Sequence, residues 1–141
     1  MAFSYHHSRQ QARYLALQAI YQWQMTACLK SELREQFQAK TENNKVDQEY
    51  FVGLVFGVVD NQAMLDELIS PYLDRKIKDL DMVELAILRI ASYELLFSED
   101  VPYKVAINEA LELAKKFGSV DGYKYVNGVL DRIARQARGV N

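Results

Sequence analysis

Apolar residues recur at three- and four-residue intervals along nearly the whole chain, the period of amphipathic helices rather than strands. From Ser8, which has the chemistry of an N-cap, to about Cys28, the positions Ala12, Ala16, Ala19, Ile20, Trp23 and Ala27 form one stripe. A more polar helix is expected over 31–41, where Leu33 and Phe37 lie four apart, and the polar run 41–45 reads as a loop. Asp47 can cap a third helix carrying Phe51, Leu54, Val55, Val58, Leu65, Leu68 and Ile69, with a break near Asp60 and Asn61. Pro71 kinks or ends it, because proline has no amide hydrogen to continue the ladder, and places 72–76 on a corner.

Asp81 and Glu84 have the spacing of a capping box, and the helix they open, through Phe97, is apolar nearly all round. That pattern marks a central buried helix, inside which Arg89 and Glu94 call for partners or an exit to solvent. Pro102 is expected in the first turn of the next helix, whose stripe is Val105, Ala106, Ala110, Leu111, Ala114 and Phe117, with Gly118 as its stop. The last helix starts between Ser119 and Asp121, carries Tyr125, Val129, Ile133 and Ala134, and frays from Gly139. The sum is an all-α chain of six or seven helices. Its corner near 71–81 suggests an N-terminal helical subdomain of about 1–76 and a C-terminal one of about 77–141.

Composition changes this picture little. Half of the 141 residues are hydrophobic and 26% charged, an ordinary globular balance. The longest apolar run, Phe51 to Val59, is too short to span a bilayer, and the polar start is unlike a signal peptide. A single cysteine, Cys28, fits a reducing, cytoplasmic setting. The spacing of Gly53 and Gly57 suggests close approach of a helix in the core rather than a membrane contact.

Charge changes it more. The formal net charge of −2 hides a division: residues 1–31 carry +3, residues 32–114 carry −9, and residues 115–141 carry +4. Basic ends that met in the fold would make a cationic face on a nominally acidic protein.

Catalytic chemistry is hard to assemble. His6 and His7, the only histidines, are adjacent on the N-terminal arm with no acid before Glu32. They point about 100° apart on a helix and make a poor metal pair. No glycine-rich phosphate loop, nucleotide fingerprint or nucleophile–histidine pair is evident. No catalytic residue, metal ligand or cofactor is therefore expected. What remains is tyrosine beside cation: Tyr72 near Arg75 and Lys76, Tyr103 with Lys104, and Tyr123 and Tyr125 flanking Lys124. Rings that stack on unpaired bases and cations that hold phosphate are the chemistry of single-stranded nucleic-acid binding; rings packed inward with hydroxyls at the surface are the plainer reading.

Three stretches are recognisable: 12–23 with its Ala-Arg-x-x-Ala-x-Gln-Ala-x-Tyr-x-Trp pattern, 84–94, and above all Val-Pro-Tyr-Lys-Val-Ala-Ile-Asn-Glu-Ala at 101–110. Together with 114–118 and 125–131 they resemble the NusB family nearly end to end. The resemblance implies an all-helical, non-catalytic RNA-binding factor of transcription antitermination. It would pair with NusE, a ribosomal small-subunit protein, on the single-stranded boxA element of nascent ribosomal RNA, and join NusA, NusG and RNA polymerase. The free protein is then expected as a monomer or weak homodimer.

Carried over by position, the RNA-facing residues are Arg9, Arg13, Tyr72, Arg75, Asp121, Lys124 and Tyr125, and the NusE-facing ones Tyr21 and Glu84. Gln10 and Gln11 stand where many relatives have arginine, which thins the basic arm. Asp121 and Glu84 are also explained as helix-capping residues, and Tyr21 as surface padding. Two other functions stay open at this point. A similar helical domain begins some ribosomal RNA cytosine methyltransferases, which would need a further domain, and a purely protein-binding scaffold would need no RNA.

Overall fold

The computed structural model describes residues 5–140; residues 1–4 and Asn141, and with them the start of the N-terminal arm, lie outside them. Seven α-helices are present among the described residues: α1 (Tyr5–Thr26), α2 (Lys30–Thr41), α3 (Gln48–Asp60), α4 (Gln62–Ile69), α5 (Met82–Phe97), α6 (Tyr103–Phe117) and α7 (Gly122–Arg138). Short 3-10 turns at Ser70–Tyr72 and Ile77–Asp79 join α4 to α5. No described residue is in a strand. The chain divides into two compact units, 1–60 and 61–141, earlier than the corner at 71–81 suggested. The reason is that α4, although it follows α3 almost without interruption, packs on α5.

The first unit holds α1, α2 and α3, each packed on the other two. Leu33 and Phe37 of α2 and Phe51, Leu54, Val55 and Val58 of α3 are buried, and the Phe37 and Phe51 ring centroids lie 5.8 Å apart. On α1 the expected stripe holds at Ala12, Ala16, Ala19 and Ile20. It fails at its end: Trp23 is half-buried, and Ala27 lies exposed beyond the helix with φ +53°. Ser8 is not a cap either; it sits within α1, and its hydroxyl donates back to the Tyr5 carbonyl. Asp47 does cap α3, its Oδ1 accepting from the Tyr50 amide at 3.0 Å. Gly53 is exposed, with open space where a Cβ would stand, so it serves no close helix approach.

In the second unit α5 is central, contacted by α4, α6 and α7. Asp81 caps it as expected, Oδ2 accepting from the Val83 and Glu84 amides at 3.1 and 3.0 Å. Arg89 finds its partner in Asp66 of α4, donating from Nε and Nη2 at 3.0 and 2.9 Å. At the other end of α5, Arg138 donates to the Leu95 carbonyl and adds a second donor to those of Glu94 and Ser98, which already accept from the Ser98 and Val101 amides.

The α6 stripe is rotated from expectation. Ala106, Ile107, Ala110, Leu113 and Ala114 are buried, whereas Phe117 is 42% exposed. Pro102 occupies the N-cap rather than the first turn, its carbonyl accepting from Val105 and Ala106. Gly118 ends α6 for a steric reason, since a Cβ there would lie 2.8 Å from the Ala114 carbonyl oxygen. Gly139 does not fray; it caps α7 in the left-handed conformation at φ +63°, and Val140 donates to the Arg135 carbonyl.

Candidate nucleic-acid interface

The corner after α4 builds the site. Pro71 cannot extend the helix, so the chain closes a 3-10 turn, with the Leu73 amide donating to the Ser70 carbonyl, and leaves 72–75 against α7. The Tyr72 hydroxyl bonds the Gln136 side chain. The Tyr125 hydroxyl accepts from the Asp74 amide at 3.2 Å. Tyr125 and Gln136 share a face because about three helical turns separate them.

Arg75 donates from Nε to Asp74 Oδ1 at 2.6 Å and from Nη2 to Oδ2 at 3.0 Å, and its Cζ lies 4.8 Å from the Tyr125 ring centroid. The Arg75 guanidinium, with help from the Tyr125 hydroxyl, lowers the Asp74 carboxyl to about 2. Partial burial pushes the Tyr125 hydroxyl up from its ordinary value, so it stays protonated across the physiological range.

Lys124, in the first turn of α7, is exposed and lies 3.4 Å from the Asp121 carboxylate. Asp121 holds the N-cap position of α7, yet its side chain makes no capping bond. Four of the expected RNA-facing residues, Tyr72, Arg75, Lys124 and Tyr125, thus fall on the corner and the adjoining helix, with Asp121 beside Lys124. The arrangement offers half-buried rings with their hydroxyls fixed, a flat guanidinium and a solvated ammonium. Those are the parts needed to stack unpaired bases and meet phosphate.

The basic start lies on a helix, as its periodicity suggested, but its two arginines are turned inward. Arg9 and Arg13 lie on α1 with His6 and His7 exposed before them. The Arg9 guanidinium sits between two rings, 4.4 Å from the Tyr5 centroid and 4.1 Å from that of Tyr50, and its Nε is 3.8 Å from Asp47. Arg13 is 3% exposed, with Tyr50 5.4 Å away. Both arginines therefore brace the first unit. Among the described residues, no group of three His, Cys, Asp or Glu could hold a metal ion, and no helix is long and apolar enough to cross a membrane.

Of the two expected protein-binding residues, Tyr21 is on the surface, 38% exposed on the same face of α1 as Tyr14 and Met25. Glu84 is not; it is 8% exposed and accepts from the Ser119 hydroxyl at 3.2 Å. Burial, reinforced by the Asp81 carboxylate, pushes its pKa above the ordinary glutamate value. Sequence reasoning passed over Asp74, Gln136 and Tyr50. Asp74 could have been found from its place beside Arg75, and Gln136 from its helical phase with Tyr125; nothing local marked Tyr50 as the seat of Arg9.

Residues 10–135 match the model of the NusB family. The chain is 53% identical over 131 residues to the transcription antitermination protein NusB of Pseudoalteromonas translucida, covering 93% of this chain and 96% of that protein. It is 51% identical to that of Alcanivorax borkumensis, covering 93% and 87%. Among solved structures it is similar to NusB of T. maritima, with a TM-score of 0.78, 34% identity and 90% of each chain covered. It is also similar to a chain in a crystal structure of antitermination factors NusB and NusE in complex with dsRNA, with a TM-score of 0.83, 30% identity, and 92% and 97% covered.

Proposed function

This chain belongs to the NusB family, and from that membership we propose that it is a non-catalytic RNA-binding factor of transcription antitermination acting together with NusE. The observation that carries this reading is the likeness, over nearly the full length of both chains, to a structure of NusB and NusE with RNA. The RNA is the boxA-type single strand of nascent ribosomal transcripts, the complex includes NusA, NusG and RNA polymerase, and the work is done in the cytoplasm. The free protein is a monomer or weak homodimer.

The local chemistry supports a division of labour. Tyr72, Arg75, Lys124 and Tyr125 contact RNA, with Asp121 setting the position of Lys124. Arg9 and Arg13, held inside the first unit, add positive potential rather than open phosphate ligands. Tyr21, in an exposed row with Tyr14 and Met25, meets NusE, while Glu84 is buried and ties the first turn of α5 to Ser119.

A gel-retention titration with NusE tests the reading, using boxA-type RNA, a scrambled single strand and a duplex of the boxA sequence at two salt concentrations. The boxA strand should be retained most tightly. Equal retention of the two strands would remove sequence specificity, and preference for the duplex would remove the single-stranded reading. Replacing Lys124 with alanine should flatten the salt dependence by about 0.7 in log–log slope, the worth of one phosphate on a single strand.

A further inference from the structure

Arg75 and Lys124 both lie at the corner, but the structure presents their charges differently. The side chain of Arg75 is 48% exposed, yet its Nε–Nη2 edge, the fork that grips a phosphate or carboxylate in bidentate fashion, already holds both oxygens of Asp74. One face of the guanidinium lies toward the Tyr125 ring at 4.8 Å. Asp74 is itself anchored, because its amide donates to the Tyr125 hydroxyl. The carboxylate remains ionised through the physiological range, so its charge offsets that of Arg75 throughout. Ring, hydroxyl, carboxylate and guanidinium thus form a clasp that occupies the Nε–Nη2 edge of Arg75 and covers one of its faces, leaving the outer face and the Nη1 end toward solvent. A guanidinium plane is a recognised platform for unpaired bases.

We propose that Asp74 is a positioning residue that clasps Arg75 over Tyr125, so that Arg75 offers an unpaired base a stacking face and withholds its Nε–Nη2 edge from phosphate. The proposal rests on the RNA reading above and adds to it a distinction between two cations: Lys124 meets phosphate, Arg75 meets a base.

Two variants and one spectrum separate the possibilities. Arg75→Lys keeps the charge and removes the plane; it should weaken retention of a boxA-type single strand about tenfold, within the worth of one base stack, and leave the salt slope unchanged. Asp74→Ala frees the fork; it should steepen the slope by about 0.7, as one new phosphate contact would. Both positions are exposed, and far-UV circular dichroism checks that each variant folds. Lysine binding as well as arginine, or a salt slope unmoved by Asp74→Ala, would overturn the assignment of roles. The clasp is read without RNA: the Arg75 Nε–H resonance should exchange slowly with water in the wild type and be lost in Asp74→Ala. Exchange as fast as in a free arginine removes the clasp, whatever the RNA data say. A wild-type protein that retains no RNA overturns the RNA reading and the stacking role with it, and the spectrum still decides the clasp.

Discussion

The pair between Arg89 and Asp66 offers the sharpest test of how the second unit is held. Arg89 projects from the most buried helix and is nearly inaccessible, its side chain 6% exposed against 22% for Asp66. With charge centres about 4 Å apart and an effective dielectric near 20, their attraction is about 4 kcal/mol, most of it offset by the cost of drying both ions. Removing either partner therefore matters mainly through what is left behind. Asp66→Ala leaves a buried guanidinium without its bidentate acceptor and should cost about 3–4 kcal/mol. Arg89→Met leaves a carboxylate that already reaches water and fills the vacated volume, so about 1–2 kcal/mol is expected. The double variant Asp66→Leu/Arg89→Met should come within about 1 kcal/mol of wild type. Urea unfolding followed by far-UV circular dichroism measures all three, and a loss of 3 kcal/mol lowers the midpoint by about 1–2 M. Equal and additive losses at the two positions would refute the reasoning, because they would show that desolvation of Arg89 is not the controlling cost.

Three further substitutions probe the fold. Gly53→Ala, in the exposed middle of α3 with open space at the Cβ position, should stabilise by about 0.5–1 kcal/mol through helix propensity; a lower urea midpoint would contradict it. Gly122→Ala should destabilise by about 1–3 kcal/mol, since its Cβ would lie 2.7 Å from the Ser119 hydroxyl and 3.0 Å from the Glu84 carboxyl carbon, and thermal unfolding reads the loss. Glu84→Gln concerns pH. A carboxyl whose folded value is raised holds its proton better in the fold, so its ionisation destabilises at neutral pH and that penalty fades in acid. The glutamine variant, which keeps an acceptor for Ser119, should therefore unfold at higher urea than wild type at pH 7. The gap should close as the pH falls through the folded value toward about 4, and a gap that persisted there would show another origin.

What the sequence carried by itself was local. Helical periodicity, the break at Asp60–Asn61, the caps Asp47 and Asp81 and the stop at Gly118 all depend on residues within a turn or two of each other, so they could be read along the chain. So could the family, because the motif at 101–110 is long and contiguous. The tyrosine and cation pairs at 72–76 and 123–125 were visible for the same reason.

Only the tertiary structure decided which of those groups is available. It gave Arg9 and Arg13 to Tyr50 and Asp47, set Glu84 against Ser119, turned α6 so that Ile107 and Leu113 rather than Phe117 are buried, and moved α4 into the second unit. It also brought Tyr125 onto Asp74 and Arg75 from far along the chain. The physical reason is the same in each case. Helix formation is governed by near neighbours, whereas the exposure of a charge and the freedom of its hydrogen-bonding edge are set by whichever side chain packing brings to it from elsewhere.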